Sequence, residues 1–147
     1  MLKTLDRAEA IGANALQIFS DNPTAWRRRR ARPPELVAFR DGLAARDIRP
    51  LAIHASYLIN LPGPDEATYR RSIELLGREL RASRGYGARY VNVHIGSHRG
   101  TGVEEGVRRL ADGIETALAR AEEPARTAGP AAAGEDATAG EDATEVG

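Results

Sequence analysis

Apolar residues recur along this chain at two different spacings. Four stretches repeat them every three or four residues, the period of one helix face, at residues 2–8, 36–43, 69–80 and 107–118. Three short apolar runs lie between these stretches: ALQIF (15–19), RPLAIH (49–54) and ARYVNVH (88–94). The order predicts one helix followed by three βα units.

Local signals place the ends of the predicted helices. The segment RPPE (32–35) predicts the start of the second helix, because proline suits the first helical turn. Asp65 is predicted to cap the third helix, and Gly85 and Gly87 are predicted to end it. Gly12 closes the first helix in the same way.

The spacing of the strands predicts a parallel sheet. Ile18 and His54 are 36 positions apart, and His54 and His94 are 40 apart. These lengths fit repeated βα units with right-handed crossovers. Doubly wound sheets and (β/α)₈ barrels share them, so the spacing predicts an α/β fold of either kind.

Alternation within the strands predicts two different faces. In the second strand, aliphatic Leu51 and Ile53 share one face, and His54 ends the other. The third strand repeats this arrangement and ends at His94. The aliphatic face should be covered by helices, and the mixed face should look into a barrel. Both histidines then sit at the carboxyl ends of strands, where α/β proteins place their chemistry.

These two histidines predict a metal site. Neighbouring parallel strands lie about 4.8 Å apart, so both imidazoles could contact one ion with zinc–nitrogen distances of about 2.0–2.1 Å. The alternative for each is a hydrogen-bonded residue at the rim of the sheet. The chain has no cysteine, which excludes disulfides, thiolate zinc sites and cysteine nucleophiles, so any metal must use histidine and carboxylate ligands.

Charge divides the chain into two parts. Residues 1–121 carry 20 basic and 14 acidic side chains, whereas residues 122–147 carry seven acidic residues and one arginine. A basic body suits a polyanionic partner. The last part contains GEDATAGEDATE, which cannot bury enough apolar surface to order itself. We therefore expect one folded domain over residues 1–121 and a disordered acidic tail over residues 122–147.

The chain lacks targeting signals of the usual kinds. No stretch approaches the roughly 20 apolar residues that a membrane helix needs. The first ten residues, MLKTLDRAEA, lack the apolar run of a signal peptide. We expect a cytoplasmic protein with no membrane partner.

Three segments carry a more specific signal: IGANALQIFSDNPTAW (11–26), IHASYLINL (53–61) and NVHIGSH (92–98). In this order they resemble the early motifs of the endonuclease IV family of apurinic/apyrimidinic endonucleases. The resemblance covers roughly residues 4–121, and its most specific parts are HASYLINL and VHIGSH, because sugar-isomerase barrels carry segments similar to GANALQIF. It implies a (β/α)₈ TIM barrel with three zinc ions that hydrolyses DNA on the 5′ side of an abasic site.

The resemblance also implies roles for individual residues. His54 and His94 would be ligands of one zinc ion. Tyr57 and Leu58 would enter double-stranded DNA at the abasic site, where unstacking costs least and an apolar or aromatic side chain can replace the lost stacking. The alternative for this second pair is a loop that packs down on its own barrel.

The loop after the first strand is implied to contact the minor groove, and its candidate residues are Asn22, Trp26 and Arg27. Relatives often carry a basic residue where this chain has Thr24, which puts one groove contact in doubt. Five arginines lie among residues 27–32, and they could track phosphates or form a solvated loop. His98 is expected to be a phosphate or structural contact and not a metal ligand.

Other parts of the family pattern are missing. The family begins with a further strand, and it continues after the fourth helix with units that carry a bridging glutamate, other carboxylates and more histidines. We therefore expect a partial TIM barrel with three parallel strands and four helices, an incomplete copy that is inactive alone. Its open sheet edges and uncovered inner face, including Phe19 and Tyr90, predict self-association or low stability.

Two other functions compete with a zinc-dependent DNA-repair endonuclease. A sugar isomerase or epimerase barrel shares the βα plan and metal-binding strand ends. A non-catalytic DNA-binding fragment would hold nucleic acid through the arginine-rich loop beside an incomplete zinc site. The SYLINL segment favours DNA over a sugar, because a sugar pocket does not need an exposed wedge.

Overall fold

The computed structural model describes residues 1–27, 29 and 31–123. Over this part of the chain, four helices alternate with three strands: α1 (Leu2–Ala10), β1 (Leu16–Phe19), α2 (Leu36–Ala45), β2 (Leu51–His54), α3 (Glu66–Tyr86), β3 (Tyr90–Asn92) and α4 (Val103–Glu122). The strands form one parallel sheet in the order β1-β2-β3. The predicted α/β class and the βα repeat are confirmed. The tail predicted as disordered lies outside the described residues from position 124 onward.

The register of the sheet aligns the carboxyl ends of the strands. Phe19 pairs with His54, and His54 pairs with Asn92. Each pairing involves the last residue of a strand. The loops that follow the three strands therefore leave the sheet at one level and from one end.

The two faces of the sheet differ as the alternation predicts. Leu51 and Ile53 are buried, with 4% and 0% of their surface exposed, and pack against α1 and α2. On the other face, Phe19 and Tyr90 remain 38% and 52% exposed. This second face is the interior of a partial TIM barrel, and it stays open in the part of the chain that the structure describes.

Helices cover the aliphatic face through two apolar clusters. The first cluster surrounds Phe39 of α2 and Ile53 of β2. The second joins the loop after β2 to the last two helices, through Leu61, Leu76 and Ala117. Because this loop contributes core residues, its path is fixed close to the carboxyl end of β2.

The ends of α3 follow the predicted signals with one exception. The side chain of Asp65 accepts a hydrogen bond from the Thr68 backbone N–H at 2.7 Å. Hydrogen bonds from Thr68 hold the pKa of this carboxyl below its usual value. Gly87 ends the helix in the left-handed conformation with φ of 71°. Gly85 lies inside the helix, so its predicted role as a second stop is wrong: the helix reverses only where φ turns positive.

Two other boundaries differ from the predicted ones by one to three residues. Helix α2 begins at Leu36, after the prolines at 33 and 34, and Leu36 donates its N–H to the Pro33 carbonyl in a turn. Strand β3 ends at Asn92, so His94 lies in the loop two residues beyond it. Helix α2 thus begins just after the proline signal, and β3 is shorter than the apolar run that predicted it.

The buried face of α4 agrees with the predicted one only in part. Leu110 and Ile114 are partly buried and pack against the second apolar cluster, whereas Val107 and Leu118 are 59% and 47% exposed. The fully buried positions of this helix are small: Gly106, Gly113, Ala117 and Ala121. A Cβ atom added at Gly113 would lie 2.8 Å from Leu61 Cδ2. The small residues admit neighbouring side chains against the α4 backbone, so they help to determine which face of the helix is buried.

Candidate metal and nucleic-acid site

The structure brings His54 and His94 together at the carboxyl end of the sheet. His54 is the last residue of β2 and is 9% exposed, while His94 lies in the loop after β3 and is exposed. Their ring centroids are 5.0 Å apart, and their planes differ by 57°. A tetrahedral zinc ion with bonds of about 2.0–2.1 Å separates the centroids of two imidazole ligands by about 5 Å. The pair fits two ligands of one such ion.

A hydrogen bond defines which nitrogen of His54 is available. Its Nδ1 lies 2.7 Å from the Ala55 backbone carbonyl. A carbonyl can only accept, so Nδ1 carries a proton and, in the neutral ring, Nε2 presents its lone pair. This arrangement is the one that metal-binding histidines commonly use, with the outer nitrogen donating to a carbonyl or carboxylate.

Two aromatic rings pack around the histidine pair. The Tyr57 centroid lies 5.3 Å from His54 and 5.7 Å from His94, and the Phe19 centroid lies 5.0 Å from His54. Phe19 also makes an edge contact with Tyr57 at 5.4 Å. The predicted site residues omitted Phe19, although its position as the last residue of β1 puts it beside His54 in the sheet. The four rings form one cluster at the mouth of the open face.

Tyr57 and Leu58 are placed differently. Tyr57 is 53% exposed above the histidine pair. Leu58 is partly buried and packs against the second apolar cluster. Tyr57 is thus presented to solvent, whereas Leu58 has one side against the core, and insertion of the two into DNA stays a prediction.

The loop after β1 is tied to the loop that carries Tyr57. The Pro23 carbonyl accepts hydrogen bonds from Ser56 Oγ at 2.6 Å and from the Tyr57 N–H at 3.0 Å. Asn22 shapes the same loop, because its Oδ1 accepts from the backbone N–H and hydroxyl of Thr24 at 3.0 and 2.9 Å. Thr24 therefore serves as a turn partner of Asn22.

Trp26 and Arg27 lie farther along this loop. Trp26 is 38% exposed and lines a shallow cleft of about 210 Å³ with Arg71, Leu75 and Arg78 of α3. Arg27 is exposed. The arginines at positions 28 and 30 lie outside the described residues, so the arginine-rich loop is described only in part.

His98 organises the turn that leads into α4. Its Nδ1 accepts hydrogen bonds from the backbone N–H groups of Gly100 and Gly102 at 3.2 and 3.3 Å. Its carbonyl accepts from the N–H and the hydroxyl of Thr101. Because Nδ1 is an acceptor, the proton of the neutral ring is on Nε2. The structural role foreseen for His98 is present, and its Nε2–H remains a donor that a phosphate could accept from.

The two imidazoles are an incomplete ligand set. Among residues 1–123, apart from positions 28 and 30, no group of three or more histidine, cysteine or acidic side chains is placed to hold a metal ion. A zinc site normally has three or four protein ligands.

The same part of the chain contains no helix with both the length and the apolar character needed to cross a bilayer.

Comparison with known proteins places this geometry in a family. Residues 5–128 match the model of the xylose isomerase-like TIM barrel family. The chain belongs to this family. Membership of the xylose isomerase-like TIM barrels accounts for the parallel sheet and for histidines at or just beyond the carboxyl ends of its strands.

Its similarity to named relatives is more specific. The chain is 34% identical over 122 residues to the "Probable endonuclease 4" of Halothermothrix orenii, and this match covers 83% of the chain and 44% of the relative. It is 37% identical over 116 residues to the protein of the same name from Natranaerobius thermophilus, covering 79% and 41%. The predicted resemblance to the endonuclease IV family is confirmed.

A solved structure supports the same relationship. The crystal structure of endonuclease IV from Thermus thermophilus matches with a TM-score of 0.70 and 35% identity, over 83% of this chain and 42% of that one. The chain therefore spans about two fifths of the length of these xylose isomerase-like relatives.

Proposed function

We propose that this chain forms the metal-binding and lesion-recognising part of a zinc-dependent DNA-repair endonuclease, a phosphoric diester hydrolase that cuts 5′ to abasic sites. One observation carries the proposal: two imidazoles with centroids 5.0 Å apart both contact the ring of a half-exposed tyrosine. A pair of histidines that would bind a metal ion, next to an exposed aromatic ring at the same end of the sheet, suits a phosphodiester beside a missing base. The names of the similar proteins point to the same class of reaction.

His54 and His94 are the residues that would hold zinc. When bound, zinc would act as a Lewis acid and lower the pKa of a coordinated water. The Ala55 carbonyl keeps the proton of His54 on Nδ1, so the ring offers Nε2 without reorientation. Phe19 packs against the His54 ring and shields that side of it from water.

Tyr57 would recognise the lesion. An abasic site leaves a gap in the base stack, and base–aromatic stacking contributes about 1–3 kcal/mol per base. The ring is already held on one side by the histidine pair and Phe19, so ordering it on binding costs little. Leu58 could reach DNA with the part of its side chain that the core leaves free.

The loop after β1 would contact the minor groove beside the lesion. Asn22, Trp26 and Arg27 are exposed on this loop. The Pro23 carbonyl holds the loop against the residues around Tyr57. A duplex engaged by Tyr57 would therefore meet this loop in the same encounter, aided by the excess of basic residues in positions 1–121.

Cleavage requires more than this chain presents. Two imidazoles leave at least one ligand position to other groups, and the chain spans about two fifths of its relatives. We propose that the isolated chain binds zinc weakly and retains abasic DNA without cutting it.

Zinc titration and a nicking assay on an abasic duplex test this proposal together. We expect measurable zinc binding that His54→Ala abolishes and that His98→Asn leaves intact, because asparagine Oδ1 can replace the acceptor Nδ1 of His98. No nicking is expected from any of the three proteins. Equal zinc affinity in wild type and His54→Ala would refute the role of the histidine pair in binding zinc. Zinc-dependent nicking by the wild-type chain that is lost in His94→Ala would refute the proposal that the isolated chain does not cut DNA.

A sugar isomerase or epimerase is the second candidate, because the matching family model is the xylose isomerase-like TIM barrel. It predicts that monosaccharides compete for the open face and that DNA binding is indifferent to lesions. A comparison of abasic and undamaged duplexes at one salt concentration separates the two functions. Equal, weak and salt-sensitive binding to both duplexes would remove the lesion-specific assignment.

A further inference from the structure

The loop that carries His94 is not fixed by the sheet. β3 ends at Asn92, and His94 follows two residues later. Downstream, Gly96 and Arg99 have φ values of 84° and 48°, and Gly100 and Gly102 also have positive φ. A loop with so many left-handed positions has no strong local preference for one shape. Its conformation must therefore be set by contacts with other parts of the chain.

Asn60 supplies such a contact from the neighbouring loop. Its Oδ1 accepts a hydrogen bond from the Ser97 backbone N–H at 2.7 Å. Its own backbone N–H donates to Ser72 Oγ at 3.0 Å, and Ser72 is fully buried on α3. Asn60 thus joins the loop of His94 to a rigid helix through two hydrogen bonds.

Two glycines make room for this side chain. A Cβ atom at Gly96 would collide with Asn60 Oδ1 and lie 3.1 Å from Pro62 Cδ. A Cβ atom at Gly63 would lie 2.6 Å from Asn60 Nδ2. The amide is therefore enclosed between Gly63 and Gly96, and the backbone of the His94 loop rests directly on it.

We propose that Asn60 is a positioning residue, which fixes the loop of His94 so that its imidazole meets that of His54 beneath Tyr57. It stands three residues after Tyr57 and holds Ser97, three residues after His94. Asn60 therefore sets the distance between the loop that carries Tyr57 and the loop that carries His94. This inference rests on the proposed function for its purpose, although the positioning can be measured without metal.

Three substitutions in the full chain test the role. Asn60→Ala removes the acceptor for Ser97. Asn60→Asp keeps an oxygen at the same place and so keeps the hydrogen bond. Asn14→Ala is the matched control, since Asn14 is exposed and precedes β1 at the opposite end of the sheet. If Asn60→Ala does not fold, Asn60→Ser takes its place, because a serine hydroxyl falls short of the Ser97 N–H.

The first readout is metal-free. Cross-relaxation between ring protons of Tyr57 and His94, whose centroids are 5.7 Å apart, is expected to be lost in Asn60→Ala and kept in Asn60→Asp and Asn14→Ala. Retention of this signal in Asn60→Ala would overturn the proposal, as would its equal loss in Asn60→Asp.

The second readout is zinc affinity, with zinc chloride as the probe. Groups outside the ligand shell commonly contribute about ten- to hundredfold to metal affinity, and we expect a loss of that size in Asn60→Ala alone. Unchanged affinity in this variant would contradict the role. If the wild-type chain binds no zinc at all, the proposed function fails, and the metal-free signal alone decides the role of Asn60.

Discussion

Replacing Tyr57 by alanine is expected to weaken binding to an abasic duplex by about 5- to 30-fold. Base–aromatic stacking contributes about 1–3 kcal/mol. Tyr57 is 53% exposed, with its other side against two imidazoles and Phe19, so only part of the ring can stack on DNA. We therefore take the lower part of that range, about 1–2 kcal/mol, which corresponds to the stated change because about 1.4 kcal/mol is tenfold.

The measurement is fluorescence anisotropy with abasic and undamaged duplexes at one fixed salt concentration. Tyr57→Phe should bind nearly as well as wild type, since the stacking ring is kept. Tyr90→Ala is the matched control, because Tyr90 is a tyrosine of similar exposure, 52%, at the start of β3. The reasoning fails if Tyr57→Ala lowers the affinity for both duplexes equally, or if Tyr90→Ala has the same effect.

Three further predictions concern stability and assembly. Asp65→Ala should lower the melting temperature at pH 7, because the pKa of Asp65 is lowered in the folded state. The stabilisation that Asp65 gives the folded protein is therefore present above its unfolded pKa of about 3.9. It disappears as the pH falls through the folded value. Melting curves from pH 7 to 2.5 should show the difference from wild type vanishing in acid, while Asp65→Asn, still a cap, removes the pH dependence and keeps the helix. Gly113→Ala should destabilise by about 1 kcal/mol in urea unfolding, because its Cβ meets buried Leu61 at 2.8 Å and overpacking of about 1–3 kcal/mol exceeds the helix gain of about 1 kcal/mol. Gly85→Ala, with its nearest neighbour at 3.7 Å, should stabilise instead, and the reverse order would refute this account. The open edges of β1 and β3 and the exposed Phe19 and Tyr90 should cause concentration-dependent self-association in sedimentation velocity, which a monomer unfolding cooperatively at every concentration would contradict.

The parts of the fold that the sequence predicts are those set by short-range periodicity. Alternation in β2 places Leu51 and Ile53 in the core and His54 on the inner face because strand geometry leaves no other choice. Parallel register pairs His54 with Asn92, so the loop that carries His94 leaves the sheet beside His54. The resemblance to a known family added the roles of these residues, which periodicity alone does not give.

The parts that were missed depend on contacts between distant segments. The contact between the rings of Phe19 and His54 requires the register between β1 and β2. The buried face of α4 was predicted only in part, because its glycines and alanines, including Gly113, admit neighbouring side chains in a way that hydrophobicity does not register. The hydrogen bond from Ser97 to Asn60 spans 37 residues, and although both partners lie in the quoted family motifs, no periodicity indicates that they meet.

Hydrogen bonds between neighbouring loops, and not the closure of a barrel, hold the site at the carboxyl end of this sheet. The Pro23 carbonyl joins the loop after β1 to Ser56 and Tyr57, and Asn60 joins the loop after β2 to Ser97 in the loop after β3. Each of these hydrogen bonds connects neighbouring loops, so none of them depends on a strand outside the described part of the chain. Under the proposed function, recognition would need only these three loops and the ring cluster, whereas hydrolysis would need ligands from elsewhere. Binding and cleavage would then be separable, which is why we expect the isolated chain to keep the first without the second.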